Sequence, residues 1–131
     1  LKEWQDLVLE HGFAYGADAR ALEGKVLLNA VTCGARREVY SRGGGYSYEL
    51  KDFFAPFEQT AALCRMRYLP PFSLFAAGHA AGENRLQSHV EDYVRLLNAL
   101  ARDRLDLDRA EQGLTLSDHL GDLIAAPTEV E

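Results

Sequence analysis

The run Val26, Leu27, Leu28, Asn29, Ala30 and Val31 leads into Thr32, Cys33 and Gly34, and a glycine-rich stretch containing Gly43, Gly44 and Gly45 follows. A strand that empties into such a loop occupies the place where open α/β sheets bind ligands, at the carboxyl ends of their strands. A glycine-containing loop there can offer backbone N–H groups to an electron-rich heterocycle. The spacing matches neither a dinucleotide fingerprint nor a Walker loop, so a plain surface loop is an equal reading on these residues alone. Upstream, Gly12, Phe13, Ala14, Tyr15 and Gly16 form a compact aromatic turn, read most simply as a helix-ending glycine with two aromatics packed beneath a loop. Cys33 beside the glycine loop reads as a small buried filler, and covalent catalysis is not expected of it. His11, His79, His89 and His119 are isolated from one another, and no Cys or His pair has zinc-ligand spacing, so no metal site is predicted.

The elements that must position these residues follow from apolar spacing. Leu1, Trp4, Leu7, Val8 and His11 predict a first helix stopped by Gly12, since glycine is a common residue just past a helix end. The run from Val26 to Val31 is too apolar for a half-exposed strand and predicts a buried parallel one. Leu50, Phe53, Phe54, Phe57, Ala61 and Cys64 predict a second helix with Pro56 in its first turn, where the missing N–H costs little. A second strand is expected between Met66 and Phe75, with Pro70 and Pro71 at its start or on an edge because proline cannot donate to a ladder. Leu86, Val90, Tyr93, Val94, Leu97, Leu100 and Ala101 mark the apolar face of a third helix that Asn84 would cap. After Asp103 the charges cluster, and Leu116, Leu120, Leu123 and Ile124 form a short stripe before Pro127. A semi-detached tail is expected there, clasping a second subunit.

The 131 residues suit one domain. A chain 47% hydrophobic and 26% charged has the balance of a folded globular domain. A net charge of -6 opposes a polyphosphate backbone, which excludes nucleic acid as the expected partner. No apolar run approaches the ~20 residues that cross a bilayer. Two cysteines are too few for a disulfide scaffold, and reduced thiols in the cytoplasm are the simpler reading. Strands separated by helices imply a parallel sheet covered on both faces, yet two strands do not make one. The chain is therefore expected to be the C-terminal part of a doubly wound α/β domain lacking its N-terminal strands, with residues 1–104 in that domain and 105–131 as the tail.

A resemblance sharpens this. Leu1-Lys2-Glu3-Trp4, His11-Gly12-Phe13-Ala14-Tyr15-Gly16, Leu22-Glu23-Gly24-Lys25, Ala30-Val31-Thr32-Cys33-Gly34, Phe57-Glu58-Gln59-Thr60 and Tyr68-Leu69-Pro70-Pro71-Phe72 resemble successive blocks of the flavodoxin-like NAD(P)H:quinone oxidoreductases. The bacterial branch that includes ancillary quinone reductases of potassium-efflux systems is the nearest in flavour. The likeness runs from Leu1 to Phe72 and then fades. It implies a flavin cofactor, FMN or FAD, NADH or NADPH as electron donor, and, provided that the expected N-terminal part is present, hydride transfer through flavin N5 to a quinone.

By the same resemblance, a Thr-Thr-Gly-Gly motif that lies along the flavin ring falls on Thr32, Cys33, Gly34 and Ala35. Two positions depart from it, and an alanine at the last would cost on the order of 1 kcal/mol if a left-handed conformation were required there. The family's catalytic Tyr falls on Tyr40, which would also bind the cofactor, and its second polar aromatic falls on Tyr46. Phe13 and Tyr15 match an aromatic wall that contacts the quinone and covers the flavin of a neighbouring subunit, which implies a homodimer. The alternatives from other classes are a regulatory ancillary subunit docked on a membrane transporter at the inner face of the cell membrane, and a homologue without flavin.

Overall fold

The computed structural model describes residues 1–125, and the chain divides into two compact units. The first holds residues 1–27 and 54–68: helix α1 (Lys2–Val8), strand β1 (Val26–Leu27), helix α2 (Ala55–Leu63) and strand β3 (Arg67–Tyr68). Strands β1 and β3 pair in parallel, Val26 opposite Arg67 and Leu27 opposite Tyr68. The first helix stops earlier than expected, at Val8 with Leu9 as its C-cap, so His11 lies outside it and Gly12 serves the following turn instead. Its φ of +88° suits glycine, and its N–H donates to the Tyr15 carbonyl at 2.8 Å to close the aromatic turn. Pro56 stands in the first turn of α2, and Ala61 and Cys64 are buried on the inner side. The helical pattern that starts at Leu50 begins as a 3-10 turn, Leu50–Phe54, and becomes α-helical only from Ala55.

The second unit holds residues 28–53 and those from 69 onward. Strands β2 (Ala30–Thr32) and β4 (Phe72–Leu74) pair in parallel, with Val31 opposite Ser73. Helix α3 (Leu86–Ala101) and two short helices, α4 (Leu107–Glu111) and α5 (Leu120–Leu123), complete it. Both expected strands are thus broken in two. Leu28 and Asn29 interrupt the first, and Leu69, Pro70 and Pro71 interrupt the second. The two prolines are buried between the strand pieces, immediately before the start of β4. The expectation of a fully buried first strand is corrected as well: Ala30 and Thr32 are exposed and Val31 half-buried.

Two further expectations change. Among the apolar residues of α3, Leu96 and Ala99 are the buried pair, while Val90, Val94 and Leu97 stand 46–51% exposed. The periodicity located the helix correctly but chose the wrong side as its packed face. Asn84 does not cap that helix. Arg85 holds the cap position and makes no side-chain cap bond. The tail is not semi-detached either. Leu105, Leu116, Leu120 and Leu123 are buried in the second unit, and the Leu116 N–H donates to the Pro71 carbonyl at 3.0 Å. The Ser117 hydroxyl meets both peptide groups of Ser73, and Arg37 forms a bidentate pair with Asp118. A stripe already covered by its own unit is not free to clasp a second subunit. Asp106 caps α4 through its carboxylate, which accepts from the Arg109 N–H at 3.0 Å. Pro127 lies outside the described residues.

Candidate functional site

The strand-to-loop junction of the second unit is anchored by its backbone. The Cys33 N–H donates to the Leu74 carbonyl at 2.9 Å, and the Cys33 carbonyl accepts from Ala77 at 3.0 Å. The Ala35 carbonyl accepts from Ala76 at 2.9 Å. Thr32 to Ala35 therefore leave β2 under restraint at the carboxyl end of a parallel strand, as the sequence predicts. Gly34 is exposed, and a Cβ placed on it would meet nothing within 4 Å, so a flat group can approach the backbone there. Ala35 is not among the residues with positive φ, so the penalty foreseen for an alanine at this position does not arise.

The loop then turns back on itself. Residues Arg37–Val39 form a 3-10 turn, and the Tyr46 N–H donates to the Val39 carbonyl at 3.1 Å. Gly44 makes this return feasible, because a Cβ there would sit 2.5 Å from the Glu38 carbonyl oxygen. The return brings Tyr46 edge-on to Tyr40, with ring centroids 5.1 Å apart. Tyr40 is the hub of a larger aromatic group, with Phe75 at 5.6 Å and Phe53 at 6.1 Å. The Arg37 guanidinium lies 4.6 Å above the Phe75 ring.

The electrostatics suit a hydrogen-bond donor. Burial raises the Tyr40 phenol above its ordinary value, and the neighbouring Cys33 thiol pushes the same way, while a hydrogen bond from the Ala35 backbone opposes it. Burial raises the Cys33 thiol too, against a smaller opposing effect of its hydrogen bond with Tyr40. Both groups keep their protons at neutral pH. Cys33 is thus a buried, protonated thiol, poorly suited to nucleophilic attack.

The structure brings Thr32, Cys33, Gly34, Ala35, Tyr40 and Tyr46 into one stretch of the second unit. Phe13 and Tyr15 belong to the first unit. There Phe13 is 53% exposed, and Tyr15 stands edge-on to His11 at 5.5 Å. Their grouping with Tyr40 rests on the resemblance. The sequence did not single out Phe53, Phe75 or Arg37 as members of this cluster. Phe75 follows directly on β4 and could have been found by the carboxyl-end rule that located Thr32. Phe53 carries no such signal, because the turn that delivers it looked like the start of a helix. Among the described residues no group of three or more His, Cys, Asp or Glu side chains could hold a metal, and no helix is long and apolar enough to cross a membrane.

Comparison with known proteins gives four concordant likenesses. A family model described as a flavodoxin-like fold matches residues 1–97. The chain is 39% identical over 99 residues to the glutathione-regulated potassium-efflux system ancillary protein of Yersinia pseudotuberculosis, covering 76% of this chain and 54% of that protein. Of solved structures, the FMN complex of general stress protein 14 from Treponema denticola superposes with a TM-score of 0.67 at 35% identity, over 76% of this chain and 56% of that one. The NADPH-quinone reductase of P. pentosaceus gives 0.61 at 28% identity, over 69% and 53%. The chain spans about half the length of the curated relatives it matches.

Proposed function

This chain belongs to the family of the flavodoxin-like fold, and from that premise we propose that it carries the ring-binding loop and aromatic donor site of a flavin-dependent NAD(P)H:quinone oxidoreductase. The observation that carries the reading is Tyr40 held against the Cys33–Ala35 loop at the carboxyl end of β2. FMN in a neighbour 35% identical to this chain supports flavin as the ligand, and a neighbour titled NADPH-quinone reductase supports the donor and acceptor.

The residues present fit a flavin ring. Gly34 leaves its backbone open to a flat group, and Tyr40 stays protonated beside it. A bound flavin supplies the capacity to take up and release a hydride, which no side chain here has. The backbone of Gly34 and Ala35 would lie along the ring. The Tyr40 hydroxyl would donate toward ring atoms that gain negative charge, a contact that strengthens as charge develops. Tyr46 adds a second phenol at the exposed side of the cluster. Phe13 and Tyr15 would form the acceptor's wall across a homodimer, where planar quinones suit aromatic contacts worth ~0.5–1.5 kcal/mol beyond burial.

Titration with FMN and with FAD tests the reading, monitored by the shift of the flavin visible bands and followed by addition of NADPH and menadione. The cofactor choice emerges from the same titrations. Flavin bands that stay unperturbed by either cofactor at high concentration, in a protein carrying the whole flavodoxin-like domain, reject the reading and leave the homologue without flavin. The second reading, an ancillary subunit at the inner face of the membrane, is favoured by the name of the Yersinia relative. Turnover well below one quinone per flavin, with flavin tightly held, would select it.

A further inference from the structure

Where α3 ends against α5, the second unit forms a cavity of about 370 Å³, within the size range of small-molecule sites. Three arginines line it: Arg95 from α3, Arg102 from the C-cap of that helix, and Arg104 just beyond. Asn98 adds an amide, and Gly121 and Ile124 supply part of an apolar wall. Among the described residues no carboxylate lines the cavity, although the chain as a whole carries a net charge of -6. The lining has no residue in common with Thr32–Ala35, Tyr40 or Tyr46. Arg102, Arg104, Gly121 and Ile124 also lie beyond residues 1–97, the stretch matched by the family model.

Local pairing accounts for one of the three cations. Arg95 is held by Asp92 at 2.8 Å, and its guanidinium reaches α5, where a Cβ on Gly121 would lie 3.9 Å from Nη2. Arg102 and Arg104 form no ion pair among the described residues. Arg104 spends Nη2 on the Ala125 carbonyl, and its Nε is buried without a partner, so no carboxylate offsets its charge. A cation at the C-terminus of a helix complements the helix dipole, which gives Arg102 a structural role. That role does not extend to Arg95, more than a turn before the helix end, or to Arg104, outside the helix. Guanidinium groups converging on one cavity call for an anion, and their planar forks match phosphate oxygens. A planar carboxylate is occupied by one fork, whereas a tetrahedral phosphoryl group accepts from several sides at once.

We infer that this cavity binds a phosphoryl dianion, as free phosphate or as the monoester of a small molecule, with Arg102 and Arg104 as the main cationic contacts and Arg95 beside them. The inference goes beyond the flavin reading, and binding is scored without flavin or nicotinamide. Isothermal titration calorimetry of the 131-residue chain is run near neutral pH and at low ionic strength, where these contacts are least screened. The probes are inorganic phosphate, phenyl phosphate and benzenesulfonate, the last a ring-bearing oxyanion with one charge fewer. Both phosphates should bind saturably and benzenesulfonate more weakly. Tighter binding of phenyl phosphate than of phosphate assigns a monoester, and its absence assigns the free ion. Arg102→Gln, at an exposed position, should weaken phenyl phosphate roughly tenfold or more, the value of one charge-assisted hydrogen bond. Arg102→Lys keeps the charge without the fork and should fall between. Arg20→Gln removes the same charge from the first unit, where Arg20 pairs with Glu23, and should leave affinity unchanged. Thermal melts check that the wild-type chain and each variant are folded. Absence of saturable binding of either phosphate to the folded wild-type chain overturns the proposal. An equal loss in Arg102→Gln and Arg20→Gln, or benzenesulfonate bound as tightly as phenyl phosphate, overturns it as well.

Discussion

Ser117→Ala tests how the second unit closes the outer edge of β4. In a parallel pair, alternate residues turn their peptide groups toward and away from the partner strand. Phe72 donates to the Asn29 carbonyl and Leu74 accepts from Cys33, so both face β2 and Ser73 faces outward. Ser73 is 3% exposed, and its N–H and carbonyl are both met by one hydroxyl: Ser117 Oγ accepts the N–H at 2.6 Å and donates to the carbonyl at 2.9 Å. The neighbouring rung, Leu116 N–H to Pro71 carbonyl, continues the cover. Alanine at 117 leaves a buried donor without its partner and removes one bond from the carbonyl. A buried group left unsatisfied costs about 1–3 kcal/mol, and that range is the expected loss of stability. It is a sizeable share of the ~5–15 kcal/mol typical of a domain. Urea unfolding followed by far-UV circular dichroism reads it. Ser88→Ala is the control, because Ser88 is exposed and bonds only locally to Arg85; it should change stability by no more than about 0.5 kcal/mol. If Ser117→Ala loses no more than the control, the hydroxyl does not hold the strand edge and the reasoning is wrong.

Leu116→Ala, at a fully buried position, should destabilise by about 2–5 kcal/mol in the same assay, whereas a tail on the surface would show almost no change. Tyr40→Phe should slow flavin reduction by NADPH roughly 10–100-fold while leaving flavin affinity nearly unchanged; an unaltered single-turnover rate removes Tyr40 from the mechanism. Burial lowers His89 below the ordinary histidine value, with Asp92 opposing and Arg85 reinforcing the shift, and the ring stacks on Phe72 at 4.5 Å. A depressed folded value gives stability that is present above the unfolded value of ~6.5 and is lost as pH falls through the folded one. Stability should therefore decline below about pH 6.5, less so in His89→Gln, and equal slopes in the two proteins would refute the assignment. Burial raises both Cys33 and Cys64, so iodoacetamide at pH 8 should label them slowly until urea unfolds the chain; rapid labelling of the native protein would contradict their burial.

Local features were legible in the residues themselves. Gly12 takes the positive φ of a turn, Pro56 opens α2, and the apolar period from Leu86 to Ala101 marks a helix. Backbone preference and side-chain spacing act over a few residues and so can be read from a linear string. The strand end at Thr32–Ala35 was legible for the same reason, since an apolar run meeting a glycine-rich stretch marks the end of a strand. What the string did not carry was which surface meets which. Leu96 and Ala99, rather than Val90, Val94 and Leu97, form the packed side of α3, because a helix with apolar residues on two sides is oriented by its neighbours and not by its own period. The prolines split the second strand while remaining buried, and Leu116, far along the chain, bonds the Pro71 carbonyl. The tail was read as detached for want of a visible partner, and its partner is the outward edge of β4, more than forty residues away in the chain. Phe53 and Phe75 joined Tyr40 for the same physical reason: the loop return allowed by Gly44 and the β2–β4 pairing bring distant segments together, and only the folded chain determines those meetings.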